Sequence, residues 1–342
     1  MELKYTTYRI KLVHSFNISR SKNSWYDITY IYLIDGDIIG RGEAAPSIRY
    51  NESNEQIYSC LRKIKLSQDK FNLNSIREYI IPKLNKIKSL ESAFDMAILD
   101  WWAQKKNVTV SNLLNVNRGE LKPTSFTIGI SNIGEIAQKI EEAKPYKILK
   151  VKLGTKNSDM DIITEIRRHT DKIIRVDANE GWSIDNAIKL SYWLADRNVE
   201  LIEQPFPADA LQDNLILKNK SPIDIYADEN SINSQSIDQI KLFFHGINIK
   251  LMKCGSLFEA LKMIKLAKEF KLKVMLGCMV ESSVAITAAS QIAKLADKLD
   301  LDGNLLIKND PYHGVLIKEG HLLLQDKPGL GLSLKKKYPG LF

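Results

Sequence analysis

The chain has 342 residues, 44% hydrophobic and 26% charged, ordinary values for a soluble globular protein of about two domains. Its net charge of +8 is scattered among Asp and Glu, apart from Lys335-Lys336-Lys337 in the tail, and no basic stripe with interleaved aromatics suggests nucleic-acid binding. Cys60, Cys254 and Cys278 are odd in number and form no CxxC, which argues against a disulfide framework or a zinc ribbon. The N-terminus alternates polar and apolar residues as a strand does, not a signal peptide. No apolar run approaches the ~18 residues of a membrane helix, so a cytoplasmic protein away from membranes is expected.

Alternating stretches at 8–13 and 28–34 read as strands, and Asp35-Gly36-Asp37 as a hairpin turn. Helices are expected at 54–65 and at 90–104, where Ala93, Ala97, Ile98 and Trp101 recur at helical spacing. From Pro123 the pattern changes to eight short apolar runs, at 126–130, 148–153, 173–176, 199–202, 225–227, 247–251, 274–276 and 299–301. Helical segments separate most of them, most clearly at 160–169, 184–196 and 258–270. Such alternation implies parallel strands with crossover helices, and eight units closing on themselves make a TIM-type barrel. A doubly wound open sheet would carry a Gly-rich fingerprint after its first strand, and there is none. The fold class is therefore α/β: a (β/α)7β barrel over 121–313, an α+β capping domain over 1–120, and a segment 314–342 that packs back on the cap.

Lys152, Asp177, Glu203, Asp228 and Lys250 sit at the ends of consecutive apolar runs, about 25, 26, 25 and 22 residues apart. Barrel active sites are built at that face. One acid there would be an ordinary cap or loop residue; three in succession, flanked by lysines, are harder to explain so. Three carboxylates around one point repel one another unless a hard divalent cation joins them, and oxygen-only ligands favour magnesium over zinc. A salt-bridge network with the neighbouring lysines is the alternative. Lys150 and Lys152, two apart on one strand, both face the interior. Lys152 and Lys250, on the second and sixth strands, face each other across the ring. A lysine near other cations has a lowered pKa and can act as a base; two opposed ones can invert a carbon. Asp300 and Asp302, two apart at the end of the eighth strand, share a face across the mouth from the cation, where a substrate ammonium would suit them; an exposed acidic loop is the alternative.

These stretches resemble the muconate-lactonizing subgroup of the enolase superfamily, and within it the dipeptide epimerases: Leu149-Lys150-Val151-Lys152-Leu153-Gly154, Val176-Asp177-Ala178-Asn179, Ile202-Glu203-Gln204-Pro205, Ala227-Asp228-Glu229 and Asn248-Ile249-Lys250-Leu251-Met252-Lys253-Cys254-Gly255. The resemblance implies that Lys152 and Lys250 are the acid/base pair, that Asp177, Glu203 and Asp228 bind one Mg2+, and that Lys150 stabilises the enolate charge. It implies that Asp300 and Asp302 grip a dipeptide's α-ammonium group, with Thr127 and Cys278 lining the substrate. For Thr127 a structural strand residue, and for Cys278 a buried small hydrophobe, remain open. Arg20 resembles the capping-loop arginine that binds the glutamate side chain of Ala-Glu dipeptides; a surface arginine is the alternative. Ser256 departs from the family pattern, which often has glycine there.

The implied activity is epimerisation of the C-terminal residue of a dipeptide, L-Ala-L-Glu above all, in cell-wall peptide metabolism, by an enzyme that often forms homo-oligomers. The rivals on the same scaffold are o-succinylbenzoate synthase, N-acylamino acid racemase and cycloisomerase, whose substrates lack the ammonium group that Asp300 and Asp302 would hold. A barrel that binds a ligand without catalysis is the rival from another class.

Overall fold

The computed structural model describes residues 1–18, 21–66, 71–130, 132–155, 158–335, 338 and 341–342. Strands β1 (Glu2–Ile18), β2 (Ser21–Asp35) and β3 (Ile38–Ala44) form an antiparallel sheet in chain order. The β2–β3 turn is the expected one: Gly36 and Asp37 join the paired Asp35 and Ile38, with Gly36 at φ 61°. Helices α1 (Asn54–Leu61), α2 (Leu73–Ile80) and α3 (Lys88–Lys105) follow. Capping boxes at Ser53/Gln56 and Asn72/Ser75 start α1 and α2. Helix α3 lies so close to β3 that a Cβ on Gly42 would stand 1.8 Å from the Ala93 carbonyl oxygen. Ala93, Phe94, Ala97, Ile98 and Trp101 of α3 bury against Ile31 and Leu33 of β2, in a core of the cap's own.

After the single turn α4 (Val110–Leu113), capped by Thr109, the barrel begins. Its strands are β4 (Phe126–Ile128), β5 (Ile148–Lys152), β6 (Ile173–Asp177), β7 (Val199–Glu203), β8 (Asp224–Ala227), β9 (Gly246–Lys250), β10 (Lys273–Gly277) and β11 (Lys298–Asp300). Each pairs in parallel with the next, and the bridge from Thr124 to Leu299 brings the eighth back to the first. The crossovers carry α5 (Ile133–Glu142), α6 (Asp159–His169), α7 (Ile184–Ala195), α8 (Leu211–Lys220), α9 (Ser234–Ile240), the pair α10 (Leu251–Cys254) and α11 (Leu257–Glu269), and α12 (Ser283–Ser290). This is the expected (β/α)7β barrel with its N-terminal antiparallel domain.

The barrel's two faces follow the period of two. Val151, Val176, Ile202 and Ile249 are fully buried in the core shared with the helices. The alternate row faces inward, where Leu201, Tyr226 and Met275 form an apolar plug. In register above the plug, Lys152 pairs with Asp177 and Asp177 with Glu203. The β9–β10 connection turns at Gly255, φ 87°, and Ser256 then caps α11 by accepting the Glu259 amide at 3.0 Å.

The tail contributes β12 (Tyr312–His313), the hairpin β13 (Leu316–Lys318) and β14 (His321–Leu323), and β15 (Ser333–Leu334). Gly320 receives the Thr124 amide at the barrel entrance, while the Leu330 amide donates to Asp100 of α3 at 2.7 Å and Arg41 of β3 donates to the Phe342 carbonyl at 3.0 Å. No helix among the described residues is long and apolar enough to cross a membrane.

Candidate active site

Asp177 and Glu203 end β6 and β7, and Asp228 follows β8, so three neighbouring strands deliver three carboxylates to one end of the barrel. All three are buried, and one oxygen from each lies within 4.8 Å of the others. Lys152 and Lys250 end the strands on either side and stand four strands apart in the ring of eight. The Lys152 ammonium lies 2.6 Å from Asp177 Oδ2, and the Lys250 ammonium 2.7 Å from Asp228 Oδ2. Lys150, one layer deeper, reaches Glu203 Oε2 at 2.6 Å, Asp300 Oδ2 at 2.7 Å and Asp177 Oδ2 at 3.2 Å.

Charge in this enclosure is tightly balanced. Burial pushes the Asp177 carboxyl up, but Lys152 and Lys150 outweigh it and hold the group at about 2. Asp228 is likewise held far below the usual range: Lys250 and Lys253 overcome its burial. Glu203 goes the other way, to about 7, because burial and Asp177 together exceed the pull of Lys150. The lysines correct one expectation. Burial favours their neutral form, yet Asp300 and Glu203 raise Lys150 and Asp228 raises Lys250 above the ordinary lysine value. Carboxylates, not neighbouring cations, dominate around Lys150 and Lys250.

The eighth-strand acids also sit closer in than expected. Strand β11 ends at Asp300, which is buried, takes the Ser125 hydroxyl at 2.6 Å and is joined to Glu203 through the single Lys150 ammonium. Asp302 is buried beyond the strand and accepts the Thr127 amide at 2.6 Å. Burial and Asp300 push its carboxyl up to about 7. Thr127 thus reaches Asp302 through both its backbone amide and its side chain. Cys278, half-buried after β10, donates its thiol to the Asp300 carbonyl at 3.3 Å; burial and then Asp302 raise it well above the usual thiol value. Arg20 lies outside the described residues.

Four further residues belong to this enclosure. Lys253, fully buried, donates to the Asp228 carboxylate and carbonyl and to the Asn248 carbonyl. Asn248 donates to Glu203 Oε1 at 2.7 Å. Ser125 holds Asp300, and Tyr50 of the cap is half-buried, its phenol raised by burial and by Asp228. Asn248 shares the inward face of Lys250, two residues on, so period two could have found it. Nothing near Tyr50 or Ser125 in the chain marks them.

The triad fits a hard divalent cation: oxygen donors only, convergent, and buried where unpaired carboxylates would be costly. The profile of the family described as enolase C-terminal domain-like matches residues 133–338. An L-Ala-D/L-amino acid epimerase of Pedosphaera parvula is 36% identical, over 98% of this chain and 100% of that protein. An L-Ala-D/L-Glu epimerase of Bacteroides thetaiotaomicron is 37% identical, over 97% of this chain and 88% of that protein. The chain belongs to the dipeptide epimerase family of the enolase superfamily. A solved member of this epimerase family, from Methylococcus capsulatus and complexed with Mg and the dipeptide L-Arg-D-Lys, superposes with a TM-score of 0.89 at 26% identity, covering 97% of this chain and 98% of that one.

Proposed function

We propose that this chain epimerises the C-terminal residue of a dipeptide, L-Ala-L-Glu to L-Ala-D-Glu and back, with one Mg2+ held by Asp177, Glu203 and Asp228. The observation that carries the reading is the row Lys152, Asp177, Glu203, Asp228, Lys250 on five consecutive strands, with an amine at each end of the acids. When bound, the cation supplies positive charge that anchors a substrate carboxylate and acidifies the neighbouring carbon. Asp177, Glu203 and Asp228 would hold that cation, and Asp228, once engaged there, would no longer raise Lys250 as it does here, leaving that amine able to accept a proton. One of Lys152 and Lys250 removes the α-proton from its side; the other, as an ammonium, returns one to the opposite side. The Lys150 ammonium, buried between Glu203 and Asp300, meets the negative charge that grows on the substrate carboxylate as the proton leaves. Asp300 and Asp302 receive the dipeptide's α-ammonium group, with Thr127 and Cys278 beside it and Arg20 reaching the glutamate side chain.

Support for a dipeptide comes from the family, and support for glutamate from the Bacteroides relative named for it. The relative named for amino acids in general marks the position after alanine as the open variable. We place the activity in the cytoplasm, in recycling of cell-wall peptides, in a chain that can form homo-oligomers; three free cysteines agree with a reducing compartment. The division 1–120, 121–313 and 314–342 is supported by the cap's separate core and by the tail's bonds to Arg41 and Asp100.

Proton NMR in D2O with L-Ala-L-Glu and magnesium tests the reading. Loss of the glutamate α-proton signal and appearance of the L,D diastereomer are expected. No deuterium in glutamate would remove this substrate; none in any dipeptide would remove the activity.

A further inference from the structure

Each acid of the triad has one oxygen held from outside and one turned inward. Asp177 Oδ1 accepts the Asn179 amide at 3.0 Å, Asp228 Oδ1 accepts Lys253, and Glu203 Oε1 accepts Asn248 Nδ2 at 2.7 Å. The other three oxygens, Asp177 Oδ2, Glu203 Oε2 and Asp228 Oδ2, are those that meet Lys152, Lys150 and Lys250. Two of these restraints are backbone-borne or cationic. The third is a neutral side chain in an unusual position.

Asn248 is fully buried, and its Oδ1 has no hydrogen-bond partner among the described residues. A buried amide left half-satisfied is kept at a cost, which points to a task for its other half. Asn248 is in register with Met275 across the β9–β10 pair, and Gly277, two residues on and opposite Lys250, is its diagonal neighbour; the φ of Gly277 lies outside the left-handed region, so no backbone conformation demands glycine there. Space does: a Cβ at 277 would stand 2.4 Å from Asn248 Oδ1 and 2.7 Å from Nδ2. Lys253 in turn fixes the Asn248 carbonyl at 3.1 Å, so the strand that carries the amide is itself tied to Asp228.

We propose that Asn248 is a positioning residue for the metal centre: it holds Glu203 so that only Oε2 is offered to the cation, and residue 277 is glycine to leave that amide room. This rests on the magnesium reading above and adds to it the group that fixes how the middle ligand binds.

Calorimetric titration of the full chain with MgCl2, without substrate, tests it. The wild type is measured beside Asn248→Leu, Gly277→Ala and the double variant Gly277→Ala/Asn248→Ala, each with a circular-dichroism melt. Asn248→Leu is expected to weaken magnesium binding by about 10- to 100-fold, the range found when an outer-shell partner of a ligand is lost. Gly277→Ala should do the same with the amide still present. The double variant should regain the stability lost in Gly277→Ala but not the magnesium affinity. A folded Asn248→Leu that bound magnesium like the wild type would overturn the proposal, as would recovery of affinity in the double variant, which would make Asn248 mere packing. Should Asn248→Leu fail to fold, the other two variants decide. A wild-type chain that took up no magnesium would overturn the metal reading itself, and this inference with it.

Discussion

Arg49 of the cap holds Glu180 of the barrel by two prongs, Nε to Oε2 at 3.1 Å and Nη2 to Oε1 at 2.9 Å. Glu180 follows β6 in the left-handed region, φ 68°, and its Oε1 also accepts the Ala208 amide at 2.9 Å. The pair fastens the cap over the loop that follows Asp177, and the residue after Arg49 is Tyr50, beside Asp228 and Lys250. Arg49→Ala should therefore raise KM for the dipeptide by about five-fold, the equivalent of ~1 kcal/mol, with a smaller change in kcat and little change in Tm. Arg49→Lys should restore only part of the loss, because an ammonium lacks the planar fork. Steady-state kinetics of the two variants beside the wild type check this. Equal KM values in all three would remove the clasp from substrate binding.

The opposed amines predict a split between exchange and inversion. Lys152→Ala and Lys250→Ala should each lower epimerisation by about 10³-fold, the usual range for losing a general acid or base. Each should still wash deuterium into one diastereomer, the one whose α-proton faces the remaining lysine, without inverting it. NMR of both diastereomers in D2O with each variant reads this directly. Exchange of both diastereomers in one variant would mean that the lysines do not serve opposite faces.

Removing divalent cations with a chelator should abolish turnover, and magnesium should restore it. The same ion should raise the chain's Tm, since a ligand present at 100 times its Kd stabilises the native state by about 2.7 kcal/mol. Differential scanning calorimetry with chelator and with magnesium checks the second part without any substrate.

A pH effect is also expected beside the barrel mouth, where the loop after β10 meets the cap. Glu43 of β3 is fully buried at the start of α12, where it accepts the Ser282 amide at 2.8 Å and the Ser282 hydroxyl. Burial and then Glu281 raise its carboxyl from 4.5 to about 8, with Asp310 adding to the effect. A carboxyl raised in this way keeps its proton longer in the folded chain than in the unfolded one. Its contribution to stability is whole below about pH 4.5 and is lost as pH rises toward 8, at no more than about 1.4 kcal/mol per pH unit. Glu43→Gln cannot ionise, so it should lose less stability than the wild type between pH 5 and pH 8. Urea midpoints at the two values check this, and parallel declines would reject it.

The barrel was legible because its strands are short apolar runs at regular intervals, and the triad because each acid closes one of those runs. The charge state of the lysines was not. Reading along β5 shows two amines side by side, whereas the groups that govern Lys150 are Asp300 and Glu203, from strands remote in the chain. Ser125 and Asp300 are 175 residues apart, and Thr127 and Asp302 equally far, so the bonds that seat the eighth-strand acids have no local trace. Tyr50 lies in the cap and gains its place near Asp228 only once the two units meet. Ser256 was visible as a departure, but its use as a cap depends on where α11 starts.

The order amine, acid, acid, acid, amine reads the same from either end. Like any catalyst, such a site speeds the forward and reverse handedness change by the same factor and leaves the mixture at whatever ratio the two isomers prefer by themselves; its symmetry means only that either isomer meets an amine on its own side. Net flow in one direction must then be imposed by whatever consumes one isomer downstream.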